Sequence, residues 1–215
     1  MELVIRHLTV GSWKENAYIL EYMGESILVD PGDDFNFLDD FFSISGTKHK
    51  AILNTHGHFD HVGAVEEFKL KYQIPFYIHS KDKQLVHQAN LYRKFAGENY
   101  ITKTPKIDFL LDDIDSIPLA DKKIKVYHTP GHSHGSVCFE IDKNLISGDL
   151  FFMDSLGRTD LPGGNMDLLL RSVNFVVDHF AGYKIYPGHG APFELDEATI
   201  LKFKEILNGH LHSTN

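Results

Sequence analysis

Histidine and aspartate gather at the ends of short apolar runs in this chain, and that placement most constrains its fold. The run Ala51-Ile52-Leu53 leads directly into Asn54-Thr55-His56-Gly57-His58-Phe59-Asp60-His61. Ile124-Lys125-Val126-Tyr127 leads into Thr129-Pro130-Gly131-His132, and Leu145-Ile146-Ser147 into Gly148-Asp149. Lys184-Ile185-Tyr186 leads into Pro187-Gly188-His189-Gly190. Short apolar runs closed by Gly and Pro read as strands. Open sheets place their sites beyond the carboxyl ends of strands. The pattern predicts strands that deliver these polar groups to one edge.

Further strands are expected over residues 3–10, 17–21, 26–29, 76–79 and 137–141. Helices are expected over 35–44, 63–72, 81–95, 165–180 and 194–208, with Asn165 as an N-cap. Residues 96–113 read as irregular. Strands and a helix are followed by strands and a helix, which predicts an α+β fold of two sheets with helices outside them. No low-complexity linker interrupts the 215 residues. One domain over 1–208 is expected, with a flexible tail over 209–215.

Net charge is −9 with histidine neutral, and no Lys/Arg cluster stands out. A nucleic-acid or anionic-membrane partner needs clustered positive charge, so neither is expected. No window of about 18 apolar residues suggests a membrane span. The first residues lack a basic segment followed by a long apolar one, so a cytoplasmic location is expected. The single cysteine, Cys138, lies in an apolar run and reads as core packing.

Imidazole and carboxylate are ligands for divalent first-row metals. His56, His58, Asp60 and His61 are too close in sequence to wrap one tetrahedron, but they can serve two adjacent metals. An open catalytic site needs a third protein ligand and a position for water. His132 completes a first set with His56 and His58. His189 completes a second with Asp60 and His61. Asp149 is the candidate bridging carboxylate. His134, two residues beyond His132, is an alternative ligand. A purely structural metal is disfavoured, because closed structural sites favour cysteine.

Thr55-His56-Gly57-His58-Phe59-Asp60-His61, Pro130-Gly131-His132-Ser133, Gly148-Asp149 and Gly188-His189-Gly190 resemble, in order, the motifs of the metallo-β-lactamase-fold hydrolases. The resemblance implies an αββα sandwich, with two mixed sheets, outer helices and a two-metal site at one edge. The turn Asp30-Pro31-Gly32 also matches, and implies that Asp30 supports the ligands from behind. His58 stands where flavodiiron oxidoreductases have Glu, and Asp149 where the name-giving β-lactamases lack a bridging carboxylate. The stretch Ser155-Leu156-Gly157-Arg158-Thr159-Asp160-Leu161-Pro162-Gly163-Gly164 resembles compact bacterial glyoxalase II. That implies a small-molecule thioester substrate such as S-lactoylglutathione and a substrate-binding Arg158. Larger members bind glutathione through an added C-terminal helical region, whereas only residues 190–215 follow His189 here.

The expected cofactor is a pair of divalent metals, zinc first, with iron or manganese as alternatives. The expected reaction is thioester hydrolysis by a metal-bridging hydroxide, with Asp60 and Asp149 as the catalytic carboxylates. Two alternatives share the resemblance. A persulfide dioxygenase would hold one iron on His56, His132 and Asp149. A lactone or ester hydrolase would need the same nucleophile.

Overall fold

Alternation along the strands decides how this chain layers. The computed structural model describes residues 2–213. The first half contributes β1 (Val4–Val10), β2 (Glu15–Tyr22), β3 (Glu25–Val29), α1 (Phe35–Ser43), β4 (Lys48–Leu53), α2 (Phe59–Val62), α3 (Val65–Tyr72) and β5 (Phe76–Ile78). A 3₁₀ turn at Ser80–Asp82, α4 (Lys83–His87), α5 (Ala89–Phe95) and β6 (Phe109–Leu110) complete it. The second half contributes β7 (Ser116–Leu119), β8 (Lys122–His128), β9 (Val137–Ile141), β10 (Asn144–Gly148), β11 (Phe151–Phe152) and β12 (Ser155–Leu156). Then come α6 (Met166–His179), β13 (Lys184–Pro187), β14 (Phe193–Glu194) and α7 (Glu197–Ser213).

The strands form two sheets, ordered β1-β2-β3-β4-β5-β6 and β14-β13-β10-β9-β8-β7, with β11 and β12 a small separate pair. Both sheets are mixed. In the first, β1, β2 and β3 are antiparallel, while β3, β4, β5 and β6 are parallel. In the second, β10 and β13 are parallel and the other pairs antiparallel.

Successive side chains of a strand point to opposite faces. In β2, Ala17 and Ile19 therefore join Leu38 and Phe42 of α1 and Phe68 of α3 on one face. Tyr18 and Leu20 turn inward to meet Phe139 and Ile146 of the second sheet. In β9 and β10, Cys138 and Leu145 face outward onto Leu169 and Val173 of α6 and Phe203 of α7. Three apolar layers thus separate four layers of structure, in the order α, β, β, α. The expected αββα architecture is the observed one. Each fully buried Leu, Ile or Phe contributes about 1.5–3 kcal/mol, so the layering is set by many such residues together.

Asn165 caps α6 as expected, its Oδ1 accepting from the Leu168 N–H at 2.9 Å. Several boundaries differ from expectation: the helix expected over 81–95 is a 3₁₀ turn followed by α4 and α5, and β6 falls within the stretch 96–113 expected to be irregular. Asp60 and His61 lie on the one-turn helix α2, too short to show a periodicity. The closing helix begins at Glu197 and continues through Ser213. The helix carries Gly209 inside it, although a glycine in a helix costs about 1 kcal/mol. Of the tail expected over 209–215, residues 214 and 215 lie outside those described. No helix among the described residues is long and apolar enough to cross a membrane.

Candidate metal centre

Strand direction brings the polar clusters together. Because β3 and β4 are parallel, they end at the same edge, at Val29 and Leu53. In the second sheet β8, β10 and β13 run the same way and end at the matching edge. The two edges are tied across the sandwich. The Asn16 N–H donates to the Gly188 carbonyl at 2.8 Å. Asn16 Nδ2 and Tyr18 OH both donate to the Pro187 carbonyl, at 3.0 and 2.5 Å. The Val137 N–H donates to the Thr55 carbonyl at 2.9 Å.

At this seam the ligand candidates form two trios. His56, His58 and His132 each offer a ligand atom within 4.8 Å of the others, and so do Asp60, His61 and His189. Asp149 lies between them. One of its oxygens is 3.4 Å from His132 Nε2 and 3.5 Å from His189 Nε2, and the other is 3.6 Å from His61 Nε2. His134, by contrast, is exposed, and its carbonyl accepts from His128. His79 and His128 stack on each other at 4.3 Å, and neither belongs to a trio.

Two glycines make the approach possible. A Cβ on Gly188 would stand 2.1 Å from Asp149 Oδ1 and 2.8 Å from His61 Cε1. Gly131 has φ +144°, and a Cβ there would stand 2.2 Å from the Leu169 nitrogen. The His132 loop therefore rests directly on the first turn of α6. That contact is reinforced by Asn165 N–H donating to the Gly131 carbonyl and Ser172 Oγ to that of Pro130.

The donor set suits metal ions. His56 Nε2, His61 Nε2 and Asp149 Oδ1 are buried without a hydrogen-bond partner. Orphaned buried polar atoms are rare and call for a missing partner. His58 Nδ1 and His132 Nε2 face one another at 2.8 Å. Burial, with His132 beside it, pushes His58 down to about 3, leaving a neutral imidazole able to bind metal. Burial holds His56 well below the usual histidine range too, with His61 and His132 adding to it. At His61, burial is outweighed by Asp60, Asp149 and Asp30, which hold the ring well above that range. At Asp60, the His61 and His189 rings overcome burial and hold the carboxyl below its usual value.

Asp30, with φ +47°, is wholly buried. Its Oδ1 accepts from the Thr55 N–H at 2.7 Å and its Oδ2 from Thr55 Oγ1 at 2.6 Å, with His61 Nδ1 at 3.1 Å. Asp30, His56 and His61 also lie close enough to hold an ion. Both Asp30 oxygens are already engaged, with Thr55 and with the Nδ1 side of His61. Arg158 stands at the rim. Its Nε and Nη2 donate to the two Asp160 oxygens at 2.9 Å each, and its carbonyl lies 2.8 Å from His132 Nδ1.

Sequence reasoning missed Asp82 and Glu15. Asp82 is buried and receives Gly57, Ser133 and Gly135. It follows β5 at the same edge as the ligands, and the rule of polar residues after strand ends would have found it. Glu15 Oε1 is 3.6 Å from His61 Nδ1, and burial pushes its carboxyl well above the usual range. As the first residue of β2 it carried no such signal. A cavity of about 420 Å³ opens above the trios.

A family model described as the metallo-beta-lactamase superfamily matches residues 10–189. The probable metallo-hydrolase YqgX of Bacillus subtilis is 33% identical over 207 residues, 95% of this chain and 97% of its own length. Among solved structures, BLEG-1 B3 metallo-beta-lactamase superposes with a TM-score of 0.82 at 34% identity, covering 89% of this chain and 94% of the other. TTHA1623 in a di-iron-bound form gives 0.80 at 34%, covering 88% and 94%. The matched span runs from the end of β1 to His189 and so contains every residue of both trios: the chain belongs to the metallo-β-lactamase superfamily.

Proposed function

We propose that this chain is a dinuclear-metal hydrolase acting on thioesters. One observation carries the reading: two complete ligand trios face a single carboxylate, Asp149, whose buried Oδ1 has no hydrogen-bond partner. His56, His58 and His132 would hold one ion, and Asp60, His61 and His189 the other, with Asp149 reaching both. Zinc, iron and manganese all accept this set, and the di-iron form of TTHA1623 shows a relative holding iron. Bound metals supply a water deprotonated near neutral pH and a Lewis acid for the carbonyl oxygen.

The chain's own groups do the rest. Asp60 Oδ2, 3.3 Å from His189 Nε2, is placed to orient the attacking water. Asp30 fixes His61 through its Nδ1 side, and the Arg158 carbonyl fixes His132 likewise. Trp13, Phe59 and Phe152 wall the cavity and limit bulk water around the scissile bond. A thiolate leaves readily and needs little proton donation, so no general acid is required of the wall.

The test is metal content per chain together with hydrolysis of S-lactoylglutathione, a neutral thioester and a β-lactam, all without oxygen. Two metals with thioester cleavage, both lost in Asp149→Ala, is the expected result. The name carried by BLEG-1 makes the β-lactam the second substrate class to measure. One iron per chain, with oxygen uptake on glutathione persulfide and no hydrolysis, would replace the reading by a dioxygenase.

A further inference from the structure

The wall of the cavity narrows the substrate. Its floor holds His58, Asp60, His132, Asp149 and His189. Its wall is apolar and built from separate elements. Trp13 comes from the β1–β2 turn, Phe59 from α2, Tyr92 and Phe95 from α5, Phe152 from β11 and Leu161 from the segment after β12. Trp13 and Phe59 meet edge to face with centroids 5.5 Å apart. Phe95 is 76% exposed and Trp13 42%, large apolar surfaces turned toward solvent at the mouth of a polar floor.

Charge is the second constraint. Among the described residues lining the cavity, Arg158 is the one Lys or Arg. Its guanidinium is bound in a two-bond pair to Asp160. The two carboxylates of a glutathionyl group would enter this cavity without a free cation to meet them, and a carboxylate removed from water without a partner is strongly disfavoured. An uncharged aromatic body would instead cover Trp13, Phe59 and Phe95, and gain from both area burial and ring–ring geometry.

Resting on the thioester-hydrolase reading, we infer that the substrate is a neutral thioester whose acyl part carries an aromatic ring. In its hydrolysis the C–S bond breaks and a C–O bond to water oxygen forms. The products are an aryl-bearing carboxylate, a free thiol and a proton, with no change of oxidation state.

Trp13 is the chain's one tryptophan, so its fluorescence reports on this wall directly. Metal-loaded protein would be titrated with S-benzyl-N-acetylcysteamine, a thioether that cannot be hydrolysed, and with S-methylglutathione. The aryl thioether is expected to change Trp13 emission saturably and to bind at least about tenfold tighter. Phe95→Ala, at an exposed position that leaves the core intact, should weaken that binding by about three- to tenfold. No response to the aryl thioether, or equal or tighter binding of S-methylglutathione, overturns the inference. Turnover is scored separately with S-phenylacetyl-N-acetylcysteamine and S-lactoylglutathione. Tight aryl binding with neither thioester cleaved upholds the ligand class and removes the hydrolase reading. Faster cleavage of S-lactoylglutathione upholds the hydrolase and removes the ligand class.

Discussion

Asp82 Oδ2 lies 2.9 Å from the backbone nitrogen of Gly57, in the middle of the loop that carries His56 and His58. The same oxygen accepts from Ser133 Oγ at 2.6 Å, and Oδ1 accepts from the Gly135 N–H at 2.7 Å. One carboxylate thus clasps the loop of the first sheet to the His132 loop of the second.

Asp82→Ala would leave the buried N–H groups of Gly57 and Gly135 unpaired, each worth about 1–3 kcal/mol, and Ser133 Oγ with Ser136 Oγ alone, 2.7 Å away. The melting temperature should fall, and metal affinity at the His56, His58 and His132 site should fall about 10- to 100-fold. Asp82→Asn should not restore it, because its amide N–H₂ would face a donor. Chelator competition on the variants measures both, and an unchanged affinity in Asp82→Ala would show that the clasp does not position the ligands.

Arg93 is wholly buried, with Nη1 2.9 Å from Asp33 Oδ2 and further contacts to Glu98 and Tyr100. Its Nη2 donates to the Phe59 carbonyl at 3.0 Å, just before Asp60. Removing one partner of a buried pair strands the other, at about 3–5 kcal/mol. Arg93→Met should lose that much in urea unfolding of the metal-loaded protein. A loss below about 1 kcal/mol would mean that water satisfies Asp33 and Glu98.

The layers, the strands and the ligand clusters are legible in the sequence, because apolar runs and Gly-flanked histidines are local patterns. Arg93 and Asp82 are not. Each is a charged residue whose type alone reads as solvated, at a position made interior by elements distant in sequence: Asp33 and Phe59 around Arg93, Ser133 and Gly135 around Asp82. The cavity wall was hidden for the same reason. Trp13, Phe95 and Phe152 come from three separate elements, and no spacing links them.

His49 stacks on Phe42 with centroids 3.7 Å apart and meets Tyr72 at 4.6 Å, while its Nδ1 lies 2.7 Å from Ser26 Oγ. Burial pushes this imidazole below its ordinary value of 6.5, with Asp39 acting weakly in the opposite direction. The unfolded chain therefore takes up this proton at a higher pH than the folded one. The stabilisation is whole above the ordinary value and is lost as pH falls through it toward the lower folded one. Between pH of about 7.5 and about 5, the urea midpoint should drop more in the wild type than in His49→Gln. Parallel profiles would show that His49 does not contribute.

Cys138 lies in β9 with Sγ 3.3 Å from Thr129 Oγ1, and burial pushes its thiol up to about 12. Only the thiolate reacts with alkylating agents. Iodoacetamide at pH about 8 should leave the native protein unmodified and label it fully in denaturant, by intact mass. Rapid labelling of the native protein would mean that β9 opens to solvent.

Each trio draws two members from the half of the chain that builds the first sheet and one from the half that builds the second. The ions would therefore act as a latch across the sandwich. A chain severed between Leu110 and Ser116 would yield two pieces, neither carrying a full set for either ion. Metal occupancy is then a gauge of how the halves are seated. Any slip of one sheet over the other, by heat, by mutation or by a ligand wedged at the seam, would be felt as a change in ion affinity before the strands themselves come apart.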